Sequence, residues 1–267
     1  MLDPNGNQQA CLWEAGGPPK LLGTLGGNSS QATAINNRGQ VVANSDLPGG
    51  SRHAFLWDAT LGMQDLGTLG GTESYAHAIN DAGRVVGLSH TPTQRYQPFI
   101  WDPNEGMLAV ASAIVHTGIF GINNSSCVAG QTASAVRGRR LVLWRKGAAL
   151  KALCMLGGSM AGGALLNDAN QVVFNESPAG RSSWIQRIRW KFFPPRASWY
   201  LWDPDHGRIS LDPYIPARRK EVFLAMDINN KGCIVGILAS GPRYSHSRAI
   251  LLEPIPGRWD RRGTFQR

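Results

Sequence analysis

Residues 22–27 and 66–71 both read LGTLGG and stand 44 residues apart. That period restricts the possible folds more than anything else in the chain, because self-similarity at a fixed spacing marks an architecture built from stacked copies of one unit. The pairs Ile35-Asn36, Ile79-Asn80, Ile122-Asn123 and Leu166-Asn167 follow at spacings of 44, 43 and 44, and the series ends at Ile228-Asn229. Trp13, Trp57, Trp101 and Trp144 keep the same beat, with Trp202 arriving late. From Asn to Trp the distance is 21 residues in three consecutive units and 35 in the next, which therefore contains an insertion of 14.

Each unit reads as four short strands. The Asn opens an Asn-x-x-Gly turn (Asn36 to Gly39, Asn80 to Gly83, Asn229 to Gly232), where Asn and Gly suit the positive φ of a tight hairpin. A β-branched run follows, such as Val41-Val42 or Val85-Val86; then a Trp-bearing strand, as in 53–57; then a fourth strand, 63–69, closed by Gly70-Gly71. Strands of 4–6 residues with frequent turn signals predict an all-β chain. Four strands per 44-residue unit predict the blade of a β-propeller, and strands apolar on both faces suit sheets sandwiched between neighbours.

Counting units gives 31–71, 75–112, 118–158 and 162–212, plus a fifth over 223–253 that lacks a fourth strand. Residues 20–25 can supply it, which predicts one domain over 1–254 with five blades and a composite last blade. Residues 9–13 are then surplus. They suggest a sixth, partial blade or a start inside a longer protein, so six blades or an incomplete ring is the alternative. Residues 178–199 are the insertion in the fourth unit, and 255–267 a basic, flexible tail.

The strings HAFLW (53–57), GMQDLGTLGG (62–71) and AINDAGRVVG (78–87) resemble the HAF-repeat family of extracellular repeat proteins. The likeness is strong over 20–90 and weakens after it, with His53 replaced by Gln97, Arg140, Ser198 and Arg248 in the other units. It implies a propeller-like fold and a place outside the cell or in its envelope. It implies no catalytic residue, because the family has no established activity. Residues 1–4, MLDP, show neither a basic segment nor an apolar core, so no secretory signal is visible there despite the export that the resemblance implies. No apolar run reaches 18 residues, so no transmembrane helix is expected.

Charge divides the chain. Residues 1–133 hold 5 basic and 9 acidic side chains, residues 134–267 hold 22 and 9, and the whole is +9. Arg137, Arg139, Arg140, Arg145 and Lys146 form one basic cluster, and Arg218, Arg219 and Lys220 another. Such a field favours anionic partners such as nucleic acid, acidic glycans or anionic lipid; the expected partner is a protein or anionic glycan, with nucleic acid the weaker choice. In the insertion, Arg187-Ile188-Arg189-Trp190-Lys191-Phe192 alternates basic and apolar residues, which segregates the two kinds if extended; a helical stripe of Trp184, Ile188 and Phe192 is the other reading. Trp184, Arg187, Arg189, Trp190 and Lys191 are the candidate binding residues, since Trp and Arg dominate binding hot spots.

The motifs that announce catalysis are missing. HExxH, GxSxG, the P-loop lysine motif and CxxC do not occur. The six His residues fall out of register, the four cysteines fit no metal-site spacing, and no helix follows LGTLGG to bind a phosphate, so it reads as a link between blades. The expectation is a monomeric, non-enzymatic scaffold without metal or cofactor; the alternative is a hydrolase or lyase with its site in a central channel.

Overall fold

The computed structural model describes residues 1–110, 118–134, 138–157, 164–176, 197–217, 221–240, 245–254 and 265–266. The first full unit is an antiparallel meander, β3 (Ser30–Ile35), β4 (Val41–Asp46), β5 (Arg52–Asp58) and β6 (Gly62–Asp65), with consecutive strands paired. The same order returns in β7 (Ser74–Ile79) to β10 (Gly106–Ala109), with β8 at Val85–His90 and β9 at Tyr96–Asp102. It returns again in β11 (Gly118–Ile122), β12 (Val128–Ser134), β13 (Gly138–Trp144) and β14 (Lys151–Leu156). The fourth sheet is β15 (Ala164–Leu166), β16 (Val172–Glu176), β17 (Ser198–Asp203) and β18 (Gly207–Ser210); the fifth is β19 (Val222–Ile228), β20 (Ile234–Ser240), β21 (His246–Pro254) and β22 (Phe265–Gln266). These five four-stranded sheets are propeller blades, as the repeat predicts. Two compact units contain them, Met1–Thr132 with Trp144–Leu150 and Ala133–Leu143 with Lys151–Arg267.

The blades are apolar where the sequence says they should be. The middle strands bury consecutive residues, Val41 to Ser45 in β4 and Ala54 to Trp57 in β5, which requires a neighbour on each face. In the first unit Val42 and Leu56 of one blade pack with Ala76, Val85, Phe99 and Trp101 of the next. Trp57, Trp101 and Trp202 are buried, whereas Trp13 is 74% exposed and Trp144 half-buried. The opening strand of four blades contains a bulge, at Thr33, His77, Phe120 and Met226, where the register slips by one residue.

Strand pairing departs from expectation at both ends. Residues 20–25 do not complete the last blade. Lys20–Gly23 instead forms β2 and pairs with β1 (Ala10–Leu12), while β22 is the fourth strand of the fifth sheet. The physical reason is local: Ala10 and Leu22 are buried against Val41, Ala43, Phe55 and Trp57 of the first blade, and Ala10 N donates to Ser30 Oγ. A short hairpin on that surface costs far less closure entropy than pairing with β21 across the chain. Within the tail, Phe265–Gln266 is therefore a strand rather than free chain. At the other expected irregularity, Ser198 and Trp199 belong to β17 and not to the insertion, because Trp199 is buried with its Nε1 donating to Phe223 O at 2.8 Å.

Candidate functional site

The turns between the first and second strands of each blade build a polar ladder. In the Asn-x-x-Gly turns the glycine takes the positive φ (Gly39 +76°, Gly83 +76°, Gly232 +80°), and the Asn works through its side chain. Asn80 Oδ1 accepts from Ala82 N and Arg84 N, and its Nδ2 donates across the blade boundary to Asn123 O at 3.0 Å. Asn36 does the same toward Asn80 O, and in the other unit Asn167 reaches Asn229 O. The next residue repeats the link at the surface: Asp81 Oδ2 accepts from Asn37 Nδ2 and Asn124 Nδ2. The Asn-Asp pairs are thus blade ties rather than cation ligands. The residue after the turn's positive-φ position, Gly39 or Asn170, meets the Asp that follows the blade tryptophan, through Gln40 Nε2 to Asp58 and Gln171 Nε2 to Asp203.

One rung differs. In the second blade Arg84 replaces the glutamine, and its Nε donates to Asp102 Oδ2 at 2.7 Å while Nη1 donates to Ser126 Oγ at 2.8 Å. Ser126 stands where three of the other turns have glycine and the fourth unit has Asn170, at φ +58°, a conformation strained for a side chain with a Cβ. These groups line a cleft of about 440 Å³ together with Ile100, Leu108, Asn124, Ser125, Arg145 and Lys146. The β9 and β10 side chains Ile100 and Leu108 give it an apolar wall. The turn before β12 and the residues after β13 supply hydroxyl, amide and cationic groups. Lys146 pairs with Glu105, and Arg145 makes no ion pair with a described residue. An exposed arginine beside a guanidinium fixed at two of its nitrogens is suited to an anionic ligand group.

Hydrogen bonding from Arg84, then from Asn104 N, holds the Asp102 carboxyl below its ordinary pKa of 3.8. A carboxylate with a depressed folded pKa stabilises the fold above the unfolded value and loses that contribution as pH falls through the folded value. We therefore expect acid unfolding below about pH 4 to be shallower in Asp102→Asn than in the parent. Denaturant midpoints measured from pH 6 to pH 2 check this, and parallel curves for the two proteins would refute it.

The predicted binding residues Trp184, Arg187, Arg189, Trp190 and Lys191 lie outside the described residues. Arg145 and Lys146, noted in the sequence only as part of a basic cluster, do join the cleft; Arg84, Asp102 and Ser126 were missed. The signal for them was weak: Arg84 is the one charged residue at a position held by Gln in two units and Cys in two, and Ser126 stands where three units have Gly and one has Asn.

Nothing else among the described residues assembles a reaction centre. His53 meets Asp65 at 2.9 Å and ties β5 to β6. LGTLGG is a blade link: Gly71 N donates to His90 O, and Leu69 N donates to Ser89 Oγ. Burial pushes the Cys154 thiol up, away from the thiolate a nucleophile needs, and the four cysteines are free. No group of His, Cys, Asp and Glu that could hold a metal occurs among the described residues, and no described helix is long and apolar enough to cross a membrane.

The class defined by these sheets is the β-propeller, and comparison with solved structures agrees. TolB from Acinetobacter baumannii matches with TM-score 0.56 at 13% identity, covering 88% of this chain and 57% of that protein, so this chain spans little more than half its length. The β-propeller domain of the Trilobed protease from Pyrococcus furiosus matches with TM-score 0.55 at 8% identity, over 86% of this chain and 70% of that one. The acylaminoacyl peptidase of Pyrococcus horikoshii matches with TM-score 0.56 at 10% identity, over 89% and 39%. No family model and no curated protein sequence matches the chain. Identities this low establish the shared fold alone.

Proposed function

We propose that the chain is a non-enzymatic binding propeller whose cleft at Arg84, Ser126, Arg145 and Lys146 takes an anionic group on a protein or acidic polymer. Its resemblance to the HAF-repeat family supports a place outside the cell or in the envelope. The observation that carries the reading is the contrast between Arg84, fixed by Asp102 and Ser126, and the adjoining Arg145, which has no ion pair among the described residues. One cation is positioned and another is available. The insertion, with Trp184, Arg187, Arg189, Trp190 and Lys191, is a second, sequence-based candidate for the same class of partner.

Hydrolysis is supported less well. The nearest arrangement to a relay is Thr72, His90 and Glu73, where Thr72 Oγ1 lies 3.3 Å from His90 Nδ1 and Glu73 Oε2 lies 3.9 Å from that same nitrogen. A relay needs the two imidazole nitrogens to serve different partners, so this is no nucleophile-base-acid chain.

The test is calorimetric titration with polyglutamate and with polygalacturonate at two salt concentrations. The parent should bind one of them more weakly as salt rises. Arg145→Ala/Lys146→Ala should lose about tenfold in affinity, two exposed ion contacts at roughly 0.7 kcal/mol each. Parent-like affinity in that variant would remove the cleft from the site, and failure of the parent to bind either polymer would overturn the anionic reading. Deleting 181–196, which leaves β17 with Ser198 and Trp199 intact, asks the same question of the insertion.

A further inference from the structure

At the opposite end of the second blade from the Asn turn, a group of electron-rich side chains converges. Tyr75 on β7 and Tyr96 on β9 form a wedge, with ring centroids 6.1 Å apart and planes inclined at 55°. Both phenols donate to one carboxylate oxygen, Glu73 Oε2, at 3.2 and 3.0 Å. The His90 ring packs against Tyr96 at 4.1 Å between centroids, tilted by 44°. The rim is formed by Gln94, a residue at φ +55° whose Oε1 accepts from the Thr72 hydroxyl at 2.9 Å. Tyr96 remains 48% exposed, and the Glu73 side chain is half-buried at 27%.

Donor accounting decides what such a place can take. Both phenolic protons are spent on Glu73, so the groups left for a ligand are phenol lone pairs, a carboxylate oxygen and aromatic faces. All of these are electron-rich. The tyrosines and Glu73 therefore offer nothing to an anion and everything to a cation; the remaining N–H of the group is on the His90 ring, which is only 14% exposed. Burial first, and the neighbouring Glu73, raise the phenol pKa of both tyrosines, that of Tyr96 to about 12, so these protons stay in place across the biological range. Arg52, whose charge acts on Tyr75, is already engaged by Asp46 through Nε and Nη2 at 2.8 and 2.6 Å. The N-terminal half that contains the wedge is net negative, with 9 acidic against 5 basic residues.

We propose that Glu73, Tyr75 and Tyr96 form a binding site for an alkylammonium group, which the Tyr96 face and the Glu73 carboxylate hold together. A quaternary ammonium suits it best. It presents no hydrogen-bond donor, sheds its weak hydration at low cost, and is attracted by the ring quadrupole. The site is independent of the anion cleft, shares no residue with it, and would stand if that cleft failed.

The experiment compares choline with its neutral isostere 3,3-dimethyl-1-butanol, which has the same shape and lacks the charge. Saturation-transfer NMR and titration of the intact chain should show choline binding about threefold to tenfold tighter than the alcohol. Tyr96→Leu and Glu73→Gln should each lose most of that preference, while Tyr96→Phe, which keeps the ring, should retain at least half of it. Thermal melts of the same proteins establish that the variants remain folded. Equal affinity for choline and the alcohol, unchanged choline binding in Tyr96→Leu, no transfer to choline in the parent, or a response to methyl glucoside in place of choline would each overturn the proposal.

Discussion

Replacing Gly71 by alanine is expected to destabilise the fold by about 3 kcal/mol or more, a far larger effect than one methyl group ordinarily has. A Cβ built at Gly71 lies 2.5 Å from His90 Cβ, 2.5 Å from Thr91 O and 2.7 Å from His90 C. Backbone accounts for two of the three, and it is not free to retreat. Gly71 N donates to His90 O, His90 N donates to Glu73 O, and Thr91 N donates to Arg95 O. Making room means breaking those bonds or tilting the whole second blade. Gly27 in the first LGTLGG is in the same position, with Asp46 O 2.4 Å from its built Cβ. Gly49 is the control. It has no atom within 4 Å of a built Cβ and does not have a positive φ, so Gly49→Ala should stabilise by about 0.4–1 kcal/mol through loss of chain entropy in the unfolded state. Urea midpoints for the two variants should therefore move in opposite directions. If they move together, close approach is not what fixes the LGTLGG glycines.

Asn80→Ala is expected to cost about 2–4 kcal/mol, as two or more buried partners are left unsatisfied at roughly 1–3 kcal/mol each. Asn80 is 3% exposed. Its side chain closes its own turn through Ala82 N and Arg84 N and crosses to the third blade at Asn123 O, with Ser126 Oγ at 3.3 Å. Asn80→Asp separates the two jobs. It keeps the acceptor for the turn amides but replaces the donor toward Asn123 O with a second carboxylate oxygen, setting an acceptor against an acceptor. If the blade tie matters, Asn80→Asp should be nearly as damaging as Asn80→Ala; if only the turn matters, it should lie close to the parent. The comparison is read in urea midpoints at pH 7, where the carboxylate is ionised.

Much of the architecture was legible because it is periodic. The 44-residue spacing, the Asn-x-x-Gly turns and the tryptophans are local signals, repeated often enough to average out single substitutions, and they predicted four-stranded blades. Pairing at the chain ends was not legible. Residues 20–25 match a fourth strand equally well whichever third strand they join, and the choice rests on burial of Ala10 and Leu22 against the first blade.

The sites divide along the same line. Sequence alone identified Arg145 and Lys146 as basic and drew attention to Trp184, Arg187, Arg189, Trp190 and Lys191 as an unusual run. It could not bring Arg84, Asp102, Ser126 and Arg145 to one cleft, because they are separated along the chain by up to 61 residues and meet only when neighbouring blades pack. Nor could it show that Tyr75 and Tyr96 share Glu73, since that depends on antiparallel register setting the start of β9 beside the start of β7 across β8. What the sequence determined by itself was the repeating unit, whose strands and turns follow from near-neighbour preferences. What only the tertiary structure decided was which side chains of different strands and blades come within hydrogen-bonding distance, a matter of register and packing that no single stretch of sequence encodes.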